Sequence, residues 1–427
     1  MKVFKFGGAS VKDADAVRNV GKVMQLYPNE EIVVVVSAMG KTTNALEKIT
    51  QEYLSKDAGL TASVADLKAY HQQILECLFP DEKHPIYDQV NNVLVELDWI
   101  VEEEPINEFD FEYDQIVSLG EMISTKIVSA WLTESGISNT WIDVRDLIKT
   151  DNTYREAQVD WASTALGVTK MMPSVFNGGN GKVAVTQGFI GVTSENYSTT
   201  LGREGSDYTA SILGSILGAE DVTIWKDVPG VLNADPKWFK DTEKLEALSY
   251  HDAIELAFFG ATVIHPKTLK PLQNNGIPLL VRSFFDPEQE GTLITGLKKL
   301  PKDLKTVPSF IFKINQVLIS ILPRDYSFIV EENLSDIFKE FAQRGVKINL
   351  MQHAALSFSV CVDADAMKVP DLIKELGNDY KVLYNENVEL VTIRDYDQAT
   401  IDRVVTRKKI YVEQKTRQTA RFVVRDL

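Results

Sequence analysis

Short apolar runs alternate with longer helical periods through roughly the first three hundred residues. Val3 to Phe6 reads as a short strand; it meets Gly7-Gly8, and a helical pattern follows that carries Val17, Val20, Val23 and Met24. Ile32 to Val36, an unbroken β-branched run, is the next strand. Strand, glycine turn, helix, strand is the opening of a parallel α/β sheet. Residues from about 44 to 115 read as mostly helical and acidic, with "VEEEPINEFDFEYD" (101–114) as a charged connector. A helix is predicted after "SLGE", with Met122, Ile127, Ala130 and Trp131 on one side. Further strands are predicted at Thr140 to Val144, Val183 to Thr186, Val222 to Trp225 and Leu279 to Arg282, with helices between them, notably Tyr208 to Leu217.

The pattern changes after "GLKKLPKDLKTVPS" (296–309), a lysine- and proline-rich stretch that reads as a linker. "SFIFKINQVLISIL" is a strand, "LSDIFKEFAQRG" an amphipathic helix, "VKINLMQH" and "SFSVCVDA" strands, and "MKVPDLIKELGN" a second helix. This is the β-α-β-β-α-β rhythm of the ferredoxin-like plan. From Val388 a partial copy follows, with a short helix near Ala399 to Val405 and two strands turned by "KTRQT"; the second copy lacks its second helix. The expected organisation is a first domain over 1–296, a linker over 297–309 and a tandem ferredoxin-like region over 310–427 whose second copy is truncated.

Composition narrows the function classes. Of 427 residues, 44% are hydrophobic and 25% charged, and the net charge is -16. So acidic a chain is a poor partner for nucleic acid or an anionic membrane surface. A small anionic ligand needs only a few local cations. Cys77 and Cys361 are far apart and lack the CxxC spacing, which argues against a disulfide framework or a zinc site. The start "MKVFKFGG" has no long apolar core of a signal peptide, and Ile32 to Val36 is too short to span a bilayer. A cytoplasmic protein is expected.

"VVVVSAMGKTTN" (33–44) looks at first like a phosphate-binding P-loop, but that motif needs a second glycine five residues before Gly40, where Val35 stands. Other residues carry the candidate chemistry. Lys5 lies at a strand end beside Gly7 and Gly8, where backbone N–H groups can approach an anion; it could neutralise a transferring phosphate, or simply flank an ordinary turn. In "TTLGREGSDYTASILG", Arg203, Ser206 and Asp207 cluster where a helix begins; Asp207 could be only an N-cap, yet the arginine and glycines before it suggest an anion site. Lys226 and Asp227 end a strand, where ligands bind in α/β sheets. Glu121 starts a helix, and "HPKTL" holds His265 and Lys267, with His265 as suited to packing or capping as to chemistry.

Taken together and in order, "KFGGAS", "VVVVSAMGKTTN", "SLGE", "TLGREGSDYTA", "WKDVPGVLNADPK" and "HPKTL" resemble the aspartate kinases of the amino-acid-kinase family, and the C-terminal part resembles their tandem ACT regulatory domains. The resemblance implies a three-layer αβα sandwich with a mainly parallel sheet, followed by a ferredoxin-like ACT region. It implies phosphoryl transfer from ATP to the side-chain carboxylate of L-aspartate, giving 4-phospho-L-aspartate, the first step of lysine, threonine and methionine biosynthesis. Ser37 and Thr43 match hydroxyls that hold the amino acid, so "GKT" is incidental to nucleotide binding. Arg203 would pair with the substrate α-carboxylate, Glu121 with its ammonium, and Lys5 with the γ-phosphoryl, oriented by Asp207. Gly7, Gly8 and Ser206 would offer donors to phosphate. Lys226, Asp227, Lys237 and Lys267 would face the nucleotide, with Mg²⁺ bridging its phosphates. A homodimer or higher homo-oligomer is implied, with lysine or threonine as a possible effector.

There are departures. The family usually reads G-R-G-G-S-D; Glu204 replaces a glycine here, and its carboxylate is expected to face solvent, away from phosphates. Ala9 stands for a frequent Thr, Lys226 for a more usual Thr, Leu232 for Tyr and Lys237 for Arg. Gln352 and His353 occupy a segment where lysine-inhibited members often carry Thr or Ser. Competing readings are a sister kinase acting on another acid or on UMP, and a catalytically silent amino-acid sensor. The sensor is disfavoured by the presence of Lys5, Arg203 and Asp207. Fusion to homoserine dehydrogenase finds no room in 427 residues.

Overall fold

A computed structural model describes residues 1–177, 182–261, 264–325 and 327–427. The chain forms two compact units, Met1–Val231 with Lys244–Ile254 and Val263–Leu304, and Leu232–Glu243 with Glu255–Thr262 and Lys305–Leu427. The division is therefore not linear: two short stretches from the first three hundred residues belong with the C-terminal unit.

The first unit starts β1 (Lys2–Phe6), α1 (Ala14–Gln25), β2 (Ile32–Val36). Four helices follow, α2 (Thr42–Ser55), α3 (Leu60–Leu78), α4 (Ile86–Glu102) and α5 (Phe109–Val117), then α6 (Leu119–Glu134), β3 (Asn139–Ile142), α7 (Trp161–Asn177), β4 (Val183–Gln187), β5 (Ile190–Val192) and β6 (Ser198–Thr200). The remaining elements are α8 (Gly205–Leu217), β7 (Asp221–Lys226), β8 (Ala247–Ser249), α9 (Tyr250–Phe259), α10 (Pro266–Asn275), β9 (Leu279–Ser283) and β10 (Thr292–Thr295). Eight strands form one sheet in the order β3-β4-β2-β1-β7-β9-β10-β8, parallel except where β10 meets β9. Every residue of β2 is buried because helices cover both faces, which is why its sequence is continuously apolar rather than alternating. Helices α7, α8 and α10 pack on one side and α1, α2 and α6 with their neighbours on the other, giving three layers. Phe4 and Phe6 pack against Trp225 across adjacent strands. The register aligns Phe6 with Val36 and Trp225, and Val36 with Gln187. The carboxyl ends of β1, β2, β4 and β7 are thus level, and the site is built there.

The predicted connector over 101–114 is only partly one. From Phe109 it is helical, and Glu112, Tyr113 and Asp114 are buried. Its acidic composition hid this: Asp114 is satisfied by distant donors from Thr200 and Arg155, and Glu112 accepts from Asn107.

The second unit is built on β11 (Ser309–Pro323), α11 (Glu331–Gln343), β12 (Ile348–Ala354), β13 (Ser357–Asp363), α12 (Lys368–Asp379), β14 (Tyr380–Arg394), α13 (Gln398–Val405), β15 (Lys408–Lys415) and β16 (Thr419–Asp426). Its six strands run β12-β13-β11-β14-β16-β15. Two ACT-like modules share the long strands β11 and β14, and the β11 register breaks between Lys313 and Gln316, where one module gives way to the other. The first half of β11 pairs Ser309–Lys313 with Leu390–Arg394, supplying a strand to the second module. On the face where a second helix would lie, Ala234 and Phe239 pack with Phe310, Ile401 and Phe422. The short second copy is completed by polypeptide from before the first one, a pairing that local reading cannot see.

Candidate active site

At the level carboxyl ends of the strands lies a cleft of about 910 Å³. Of the candidate residues it brings together Lys5, Gly8, Ser37, Thr43, Glu121, Arg203, Ser206, Asp207 and Lys226. Lys5, at the end of β1, meets Asp207 in the first turn of α8 at 2.6 Å, with the side chains only 11% and 3% exposed. Asp207 is therefore not the N-cap: Glu204 holds that position, and the Asp207 carboxylate is turned to the lysine. The glycines let the loops close on each other. A Cβ at Gly8 would sit 2.9 Å from the carbonyl oxygens of Ala38 and Gly40, and one at Gly188 only 2.4 Å from Cβ of Ser206.

Glu121, in the first turn of α6, is 2% exposed. Its Oε1 accepts the Ala38 N–H at 3.2 Å, while Oε2 has no hydrogen-bond partner among the described residues. Burial pushes its carboxyl up to about 8, against the Ala38 N–H and the Lys5 charge, which pull it down. Ser37 lies on the loop between β2 and α2 and Thr43 in the first turn of α2, and Ser124 Oγ donates to the Ser37 carbonyl at 2.7 Å.

Three side-chain-bearing residues of the cleft sit at left-handed backbone angles, Arg155 (φ 66), Phe189 (φ 70) and Glu204 (φ 55). Such positions favour glycine, and their clustering marks a place where surrounding structure holds strained backbone. Glu204 does not face solvent as expected. Its Oε2 accepts the His265 N–H at 2.7 Å, so the carboxylate is turned to the start of α10. His265 is a cap: its Nδ1 accepts the Lys267 N–H at 3.2 Å.

Other residues singled out in the sequence lie outside the cleft lining. Gly7 is adjacent to it, and a Cβ there would be 3.2 Å from Lys5 Nζ. Asp227 is exposed just past β7. Lys237 and Leu232 belong to the second unit, where Lys237 is exposed. Lys267 donates to the Leu201 carbonyl at 2.6 Å, and burial lowers its pKa from the ordinary lysine value; it braces the turn before Arg203. Conversely, Asp110, Tyr113 and the loop residues Thr153, Tyr154, Arg155 and Glu156 line the cleft without having been singled out. The run "NTYREA" reads as an ordinary polar loop, and only its meeting with α5 puts it here. Among the described residues, no group of three His, Cys, Asp or Glu ligand atoms converges in the cleft. A magnesium ion would fit there on the oxygens of a bound polyphosphate and on water rather than in a protein cage.

A three-layer α/β sheet with lysine, arginine and helix N-terminus converging on one strand-end cleft defines a class built to hold anions. The amino acid kinase family model matches residues 1–283, and the chain belongs to that family. Its relatives within it are aspartokinases. Lysine-sensitive aspartokinase 3 of Escherichia coli (strain K12) is 29% identical over 402 residues, covering 92% of this chain and 86% of that protein. The bifunctional aspartokinase/homoserine dehydrogenase 2, chloroplastic, of Arabidopsis thaliana is 31% identical over 366 residues, 84% of this chain; the match spans only 39% of that longer protein. The crystal structure of E. coli aspartokinase III in complex with aspartate and ADP (R-state) superposes with a TM-score of 0.81 at 27% identity, covering 99% of this chain and 96% of that one. The same enzyme in complex with lysine and aspartate (T-state) gives 0.81 and 27%, covering 99% and 95%. No helix among the described residues is long and apolar enough to cross a membrane.

Proposed function

We propose that this chain transfers the γ-phosphoryl group of ATP to the side-chain carboxylate of L-aspartate, giving ADP and 4-phospho-L-aspartate. The observation that carries this reading is the buried Glu121, with an unpartnered oxygen, in one cleft with Arg203 and the Lys5–Asp207 pair. An α-amino acid presents an ammonium, an α-carboxylate and a side-chain group, and this cleft holds a counterpart for each.

The nucleophile is a side-chain carboxylate oxygen with a free pKa of about 4, already ionised at neutral pH, so no proton has to be removed. It forms a bond to the γ-phosphorus while the bond to the β–γ bridging oxygen breaks, and the electron pair leaves with ADP. The protein's task is to align two anions and screen their repulsion. Lys5 stabilises charge on the transferring group, and Asp207 at 2.6 Å fixes the direction of its ammonium. Arg203 offers a planar fork to the α-carboxylate, Ser37 and Thr43 offer hydroxyls to the amino acid, and Ser206 and the Gly7-Gly8 backbone offer donors to phosphate. Lys226, at the end of β7, and Asp227 face the nucleotide in this reading. Mg²⁺, bound through the nucleotide's phosphates, would supply further charge neutralisation.

The test is a hydroxamate assay with ATP, in which hydroxylamine traps the acyl phosphate. L-Aspartate, L-glutamate and N-acetyl-L-glutamate are offered to wild type and Lys5→Ala. Signal with aspartate alone, lost by several orders of magnitude in the variant, is expected. Signal with another acid would move the chain to a sister kinase. Lysine or threonine as an effector at the ACT-like modules, which in this reading also mediate homodimerisation, is tested by titrating each against activity; flat curves for both would remove that part.

A further inference from the structure

Asp114 on α5 is fully buried, and the reaction described above does not use it. Its Oδ1 accepts the Thr200 hydroxyl at 2.7 Å, and its Oδ2 accepts the backbone N–H groups of Thr200 and Arg155, both at 2.9 Å. A buried carboxylate with three donors is an anchor for whatever supplies them. Here they come from β6, which leads directly into Arg203, and from the loop carrying Arg155. The Ala157 N–H donates to the Thr200 carbonyl at 3.0 Å and ties the two segments to each other.

What the anchor holds is a strained arginine. Arg155 has a φ of 66 yet carries a long side chain. That side chain is presented to the same cleft wall: its guanidinium lies 4.6 Å from the ring centroid of Tyr113 and 5.3 Å from that of Phe109. Nη1 reaches Asp110 Oδ1 at 3.3 Å. The ion pair is weakly committed, because the Arg155 and Asp110 side chains are 41% and 59% exposed and water screens them. The backbone is anchored, the Phe109 and Tyr113 rings flank the guanidinium, and the counter-ion is exchangeable. A guanidinium held this way, in the cleft that also holds Arg203 and Glu121, is poised to leave Asp110 for an incoming carboxylate.

We propose that Arg155 is a specificity-determining residue, a second guanidinium that joins Arg203 on the α-carboxylate of the amino-acid substrate. This rests on the aspartate kinase reading. Selectivity follows from the geometry: an acid whose α-carboxylate is masked has nothing to draw Arg155 from Asp110.

The experiment crosses two enzymes with two substrates. Wild type and Arg155→Gly are assayed with L-aspartate and with L-aspartic acid α-amide, which keeps the reacting side-chain carboxylate but lacks the α-carboxylate charge. Glycine suits the left-handed backbone, so the variant loses the guanidinium without added strain; Arg155→Lys keeps a charge and serves as the conservative variant. For aspartate, kcat/KM is expected to fall roughly 10- to 100-fold in Arg155→Gly, the range of one charge-assisted hydrogen bond, mostly through KM. For the α-amide it stays within about twofold, and Arg155→Lys recovers part of the loss. An equal fall for both substrates would reduce Arg155 to a brace for α5 and overturn the proposal, as would no fall for either. Wild type that phosphorylates neither would instead overturn the aspartate kinase reading, and the proposal with it.

Discussion

Replacing Glu121 by glutamine isolates the charge that the proposed function asks to meet a substrate ammonium. The Glu121 carboxyl is buried, accepts a hydrogen bond from the Ala38 N–H, and is pushed up to about 8 by burial. At pH 7 it is mostly protonated, and accepting an ammonium requires it to ionise first. Apparent affinity for aspartate should therefore improve about tenfold for each pH unit from 6 to 8, about 1.4 kcal/mol per unit, and level off above 8. Glutamine keeps an acceptor for Ala38 but turns an amide N–H toward the ammonium. In Glu121→Gln the KM for aspartate should be roughly 10- to 100-fold higher than wild type at pH 8.5, without the pH dependence. Initial rates at saturating ATP across pH 6–9 read the KM, and calorimetry in buffers of different ionisation enthalpy reads close to one proton released per aspartate bound at pH 7 in wild type and none in the variant. Stability carries the opposite sign. A carboxyl with a raised folded pKa penalises folding only above its unfolded value of about 4.5, and the penalty grows until about pH 8. Glu121→Gln should thus be more stable than wild type at pH 9, by on the order of 5 kcal/mol, and equal to it near pH 4.5. A wild-type KM that is flat from pH 6 to 9, or an unchanged KM in the variant, would refute the reasoning.

Gly188→Ala places a methyl 2.4 Å from Ser206 Cβ and 2.7 Å from its Cα. It should cost about 1–3 kcal/mol in urea unfolding and lower kcat by shifting the start of α8; a variant with wild-type stability would show that this contact gives way freely. Glu204→Ala leaves the His265 N–H without its acceptor and keeps the strained φ of 55, for a loss of about 1–3 kcal/mol. Glu204→Gly loses the same bond but relieves about 1 kcal/mol of backbone strain, so it should unfold at higher urea than the alanine variant; the reverse order would count against the strain.

Local pattern was enough for much of this protein. The unbroken β-branched run of β2 reads as a strand covered on both faces, Gly7-Gly8 after β1 reads as a turn, and the 3.6-residue period of α11 and α12 specifies helices with one buried side. Lys5, Arg203, Ser206 and Asp207 were legible because strand ends and helix starts are where such side chains become available to an anion. The tertiary structure decided what depends on residues far apart in the chain. Asp114 looks like one acid in a charged connector until Thr200 and Arg155 arrive as donors. Glu204 looks solvated until the start of α10 brings it the His265 N–H, and Arg155 looks like a loop residue until α5 supplies the rings and carboxylate beside it. The second ACT-like module looks short until β11 crosses both modules and Phe239 packs beside it. Periodicity reports which face of an element is apolar. It carries no record of which distant donor, ring or strand will be folded against it, and for buried polar groups that partner determines both burial and charge.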